Sequence, residues 1–143
     1  IITGKEAKNN MAEAIVFYND KDKKIINPKL FSKTAEEWAK DVHSEGEKMR
    51  DANKRSQLRK FYDEVIRLNT LVKSNPSDWE NILPYVNMLI AKCVYAQGRN
   101  KVTQEFVKML KDSINQIQKK EDMEVFANFF EAFMGYYRQY GAN

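Results

Sequence analysis

Leu58, Phe61, Val65, Leu68 and Val72 follow one another at steps of three, four, three and four residues. That alternation keeps apolar side chains on one side of a 3.6-residue turn, so residues 54–74 read as an amphipathic helix with a narrow seam. Asn75-Pro76 stops it, because a proline disfavours helical geometry in the residue before it.

The same period recurs on both sides. Phe31, Ala35, Trp38, Val42 and Met49 form an earlier stripe, with Ser32 or Thr34 as candidate N-cap and Glu36 and Glu37 in the first turn. Gly46 weakens that helix before Asn53. A third helix restarts at Ser77-Asp78-Trp79-Glu80 with Ser77 as the cap. Pro84 either marks its first turn or kinks it, and Gly98 is the candidate left-handed stop. Thr103 caps a fourth helix in this reading, in which Phe106, Leu110, Ser113 and Ile117 share a face. A fifth follows Lys119-Lys120-Glu121-Asp122 and runs to about Tyr140. Its stripe is Phe126, Phe130, Phe133, Tyr137 and Tyr140, widened by Val125, Phe129 and Tyr136. A helix so broadly apolar sits either at the centre of a bundle or at a subunit contact.

Residues 1–30 carry no comparable period. Ala14–Tyr18 fits a short strand or a helical turn, Asn19–Asp22 a turn, and Asn27-Pro28 an extended approach to the first helix. The expected fold is all-α: a single-domain bundle of about five helices over residues 31–143, preceded by a poorly patterned N-terminal segment, 1–30.

Composition agrees. Of 143 residues, 43% are hydrophobic and 31% charged, enough for a core and too apolar for a disordered chain. With 5 Gly and 3 Pro, turn residues are too few for a sandwich or barrel of short strands. The single cysteine, Cys93, cannot form an internal disulfide, which favours a reducing, cytoplasmic setting. No apolar run reaches the roughly 18 residues of a membrane span, and Ile-Ile-Thr-Gly-Lys at the start is not a signal peptide.

The net charge of +4 conceals a pattern. Residues 54–73 hold six Lys and Arg against two carboxylates, and 92–111 hold five against one, so each segment carries +4. Every other segment lies between −2 and +2, and an acidic stretch, 74–91, separates the two. In the first segment Arg55 and Arg59 line one flank of the helix, and Lys60 and Arg67 the other. Cations at a helix N-terminus oppose the dipole, a cost consistent with holding an anion there. In the second, Lys92 and Arg99 are seven residues apart and Lys101 lies in the loop before the fourth helix. Two readings stay open: ordinary solvated faces, or phosphate contacts indifferent to sequence.

Catalytic and metal chemistry is missing. His43 with Glu47 is two ligands short of a zinc site, and there is no P-loop, nucleophile elbow or dinucleotide fingerprint. Cys93 sits in an apolar run as an inert thiol, and the carboxylate pairs sit at helix starts, where capping explains them. A non-enzyme with no cofactor and no metal is expected.

Three segments carry a family likeness. Ser56-Gln57-Leu58-Arg59-Lys60-Phe61-Tyr62 resembles the signature opening a helix in the small helical subunit of the Csm complex, the type III-A CRISPR effector. Leu89 to Arg99, ending Tyr-Ala-Gln-Gly-Arg, is similar to that family's second signature. The aromatic stretch Phe129-Phe130-Glu131-Ala132 through Tyr136-Tyr137 is a third likeness, and the match spans about Leu30 to Gly141. The resemblance implies a non-catalytic subunit, several copies of which pack along the crRNA–target RNA duplex, opposite the backbone subunits and beside the large subunit. It also implies phosphate contacts from Arg55, Arg59, Lys60, Lys92 and Arg99, with Ser56 or Gln57 adding hydrogen bonds. Arg67 and Lys101 extend the two basic segments. Exposed residues of the fifth helix would meet neighbouring copies, and a homodimer of the isolated chain is compatible with that face. The rival reading is a helical protein-interaction or scaffold module with no nucleic-acid role. A helix-turn-helix is disfavoured, because no tight turn joins helices at the basic segments.

Overall fold

The computed structural model describes residues 12–140; the start of the 1–30 segment and the end of the resemblance at Gly141 lie outside these residues. Over the described residues the fold is an all-α bundle of five helices: α1 (Ala35–Glu47), α2 (Arg55–Ser74), α3 (Trp79–Gly98), α4 (Gln104–Ile114) and α5 (Lys120–Tyr137). Ahead of them, β1 (Tyr18–Asp20) and β2 (Ile25–Ile26) pair as an antiparallel hairpin with one irregularity in register. Short turns of other helical pitch, Leu30–Thr34, Pro76–Asp78 and Arg138–Tyr140, lead into or out of α1, α3 and α5.

The seam of α2 is buried from Leu58 to Val72, as its spacing requires. The face of α4 is buried as well, together with Ile117 just beyond the helix. On α1, Ala35, Trp38 and Val42 are buried; Phe31, in the turn that leads into it, is half-buried, and Met49 lies past the helix end and is exposed. The broad apolar arc of α5 is resolved in favour of the bundle centre. Phe126, Phe129, Phe130 and Phe133 have no exposure, because α1 and α2 both pack on α5. Phe106 reaches in from α4 to meet Phe130 and Phe133 edge-on and tilted, at 6.1 and 6.2 Å between ring centres. Each such buried ring contributes on the order of 2–3 kcal/mol. The apolar residues left in solvent are therefore not on α5. Four of them, Tyr85, Met88, Val94 and Tyr95, lie on α3.

The N-terminal stretch is fastened to the ends of the helices by polar contacts. The Phe17 N–H donates to Gln116 Oε1 at 2.9 Å, and Gln116 Nε2 returns a bond to the Ile15 carbonyl at 2.7 Å. Trp38 Nε1 donates to the Glu13 carbonyl at 2.8 Å. The Tyr18 hydroxyl donates to Asp122 Oδ1 at 2.7 Å. These bonds hold Ile15 and Phe17 in the core.

The capping expectations need correction. None of Thr34, Ser77 and Thr103 caps a helix through its side chain. Thr34 already lies in the preceding helical turn, and Ser77 is inside a tight turn that starts at Pro76. The hydroxyl of Thr103 is taken by another partner, described below. Pro84 lies inside α3, the chain having been turned already at Pro76. Gly98 is the last residue of α3 and is not in the left-handed region. Asn100, at φ 61°, holds that position. The Asn100 N–H donates to Gln97 O at 2.9 Å and the Lys101 N–H to Ala96 O at 2.9 Å, which closes the helix in a Schellman motif.

Candidate nucleic-acid interface

The site begins at a buried joint between two loops. Asn53 precedes α2 in the left-handed conformation, φ 57°, and is only 3% exposed. Its side-chain amide donates to Thr103 Oγ1 at 2.8 Å and to the Val42 carbonyl at 2.8 Å, while its Oδ1 accepts the Thr103 N–H at 2.9 Å. Its backbone N–H donates to Lys101 O at 2.9 Å, and its carbonyl accepts the Tyr137 hydroxyl. Burial, with Glu47 adding to it, pushes the Tyr137 hydroxyl up to about 12, so it remains a donor. Gly46 lets the end of α1 approach, since a Cβ there would lie 2.9 Å from Asn53 Cβ. The joint ties the segment before α2 to the α3–α4 connection. It thereby places the two basic segments, far apart in sequence, side by side.

Two grooves result, one on each flank of α2. The first, between α2 and α3, encloses about 480 Å³. Its cationic wall is Lys60, Lys92, Arg99 and Lys101, with Gln57 and Tyr95 beside them. One carboxylate lines it, Glu64, and Arg67 is forked onto that group at 2.9 and 2.7 Å. The Arg67 hydrogen bonds hold the Glu64 carboxyl below its ordinary range, and Lys92 adds to the effect. The second groove, between α2 and the end of α5, is smaller, about 190 Å³, and is edged by Arg55, Arg59 and Arg138 over Tyr62 and Gly135. Its carboxylate is Glu131. Arg59 also lies 3.7 Å from Asp63 on its own helix.

Of the candidate residues, Gln57, Lys60, Lys92, Arg99 and Lys101 converge on the first groove and Arg55 and Arg59 on the second. Arg67 lines neither, being committed to Glu64, and Ser56 stands on the exposed first turn of α2 outside both. The first turn of α2 carries no carboxylate.

Three contributors escaped the sequence reading as site residues: Asn53, Arg138 and Tyr95. The signal for Tyr95 was present. Tyr85, Met88, Lys92, Tyr95 and Arg99 step by three, four, three and four, parallel to the buried Ile82, Val86, Leu89, Cys93 and Ala96. Two stripes of similar spacing, both rich in apolar residues, hide which one faces the core.

The other candidate chemistry is engaged in packing. His43 stacks on Tyr140 with ring centres 4.3 Å apart and lies 3.6 Å from Glu47. Among the described residues, no group of three or more His, Cys, Asp or Glu side chains could hold a metal ion. Cys93 is fully buried, which pushes its thiol up to about 12. No helix among the described residues is long and apolar enough to cross a membrane.

A protein-family model described as Csm2 Type III-A matches residues 26–143. No curated protein and no solved structure matches the chain.

Proposed function

The chain belongs to the Csm2 Type III-A family, and we propose that within the type III-A Csm complex it is a non-catalytic, RNA-binding subunit lining the crRNA–target RNA duplex. The observation that carries this reading is the groove between α2 and α3, where Lys60, Lys92, Arg99 and Lys101 surround one carboxylate that Arg67 already neutralises. A wall of that charge selects for a polyanion and displaces its counterions, whatever the sequence. Lysines there act as point charges, while the guanidinium of Arg99 can fork onto phosphate oxygens. Arg55, Arg59 and Arg138 provide a second track on the opposite flank of α2.

Backbone and shape recognition suits an assembly in which base pairing between guide and target reads the sequence. Isolated subunits then bind weakly, and side-by-side copies along the RNA, held by backbone and large subunits, gain affinity through effective concentration. The catalytic steps belong to other subunits in this reading.

The test is a complex reconstituted with Arg59→Glu and Lys60→Glu together in this subunit. Lower RNA affinity or slower target cleavage is expected; unchanged activity in a complex of normal composition would overturn the site assignment.

A further inference from the structure

We propose that Tyr95 is a stacking platform for an unpaired RNA base, at the mouth of the groove between α2 and α3. This rests on the RNA-binding reading above and goes beyond it, because phosphate contacts alone give no role to an aromatic ring in solvent. Tyr95 is 68% exposed, the most exposed large apolar side chain among the described residues, although it lines the same groove as Lys60, Lys92 and Arg99. Leaving so much ring in water has a cost that core packing does not recover. The Arg99 guanidinium lies over the ring, its carbon 5.9 Å from the ring centre. That contact restrains the tyrosine and occupies one face only. A base stacking on the other face would place the ring between a nucleobase and a cation, a combination that strengthens both contacts.

The charge around the ring specifies the occupant. Lys60, Lys92, Arg99 and Lys101 fit the phosphates on either side of a stacked nucleotide, and Glu64 is engaged by Arg67. In a continuous A-form duplex every base is already covered by its neighbours, so Tyr95 can find a free face only at an unpaired nucleotide, in a break, bulge or end. The groove would then tell such a nucleotide from regular duplex without reading its identity. Tyr85 and Met88, 59% and 48% exposed, continue the stripe away from the cations and are left out of the platform.

The experiment uses the full chain with two probes: an unstructured single-stranded RNA carrying one 2-aminopurine, and a blunt RNA duplex of equal length. For Tyr95→Ala the affinity for the single strand should fall about tenfold, as loss of one base–aromatic stack implies. Quenching of 2-aminopurine should disappear, and affinity for the duplex should change by less than about twofold. Tyr95→Phe and Tyr95→Trp should keep both signals. Because the side chain is in solvent, thermal melting of all three variants should match the parent. Unchanged single-strand binding by Tyr95→Ala, or equal losses on single strand and duplex, would overturn the proposal. Should Lys92→Glu with Arg99→Glu weaken both probes while Tyr95→Ala is silent, the platform fails and the basic groove stands. If that pair is silent as well, the groove reading fails with it. Loss of co-purifying Csm subunits from Tyr95→Ala at unchanged RNA affinity would make the ring a protein contact and overturn the platform.

Discussion

Asn53 and Thr103 exchange two hydrogen bonds, Nδ2 to Oγ1 at 2.8 Å and the Thr103 N–H to Oδ1 at 2.9 Å, in a fully buried setting. Fifty residues of sequence separate them, and the pair fixes the relative position of the two basic segments. Asn53→Ala should cost about 3 kcal/mol, since it strands the Thr103 N–H and the Val42 carbonyl and keeps a left-handed backbone. Asn53→Gly should recover only the backbone part, about 1 kcal/mol. Urea denaturation of the two variants measures both quantities. Equal losses would mean that the left-handed backbone contributes nothing, and a glycine variant as stable as the parent would mean that the amide contributes nothing.

Charge reversal should separate engaged from available cations. Lys60→Glu and Lys92→Glu should each weaken RNA binding and lower the steepness of its salt dependence by about one. Arg67→Gln made together with Glu64→Gln, which removes the ion pair as a unit and leaves no bare carboxylate in the groove, should do neither to a comparable degree, because Arg67 is forked onto Glu64 and stands outside the groove. Affinity titrations at several salt concentrations test all three.

Arg138 should behave as a member of the second groove although it lies far from α2 in sequence. Arg138→Ala should reduce RNA affinity a few-fold with little change in melting temperature, as expected of an exposed cation. A variant with parental affinity would confine RNA to the α2–α3 side.

Asp122 predicts an acid limb of stability. Burial alone would raise its carboxyl, but N–H donors from Lys119 and Gln118 and the Tyr18 hydroxyl outweigh burial and bring it below its usual value. A carboxyl depressed in the folded state stabilises fully above its unfolded value, about 3.9, and the benefit is lost as the pH falls through the folded value. Glu64 and Glu124, lowered first by Arg67 and Lys73 respectively, act in the same direction. Asp122→Asn should destabilise by about 2 kcal/mol at neutral pH and flatten the decline of stability below about pH 4. Melting curves across that range decide the matter.

Much of the architecture was legible because helical periodicity is a local signal. The α2 seam and the α4 face were visible as spacing alone, and Asn75-Pro76 as a stop. Facts set by long-range packing were not. Whether the apolar arc of α5 met a neighbour or the core depended on α1 and α2 both packing on it. The left-handed residue after α3 proved to be Asn100 where Gly98 was expected, since both residue types reach that conformation. Thr103 looked like a cap and serves the Asn53 joint, a partnership no spacing rule can suggest. For the site, the charge blocks were readable, whereas their division between two grooves and the contribution of Arg138 follow from how the helices pack.

The most direct test is ultraviolet crosslinking of the assembled Csm complex on its guide and target RNA, followed by mapping of the RNA-bearing peptides in this subunit. Crosslinks on the segments holding Arg55 to Arg67 and Lys92 to Lys101, with Tyr95 prominent, are the predicted result. Crosslinks confined to the hairpin, α1 or α4, with both basic segments free of RNA, would contradict the account.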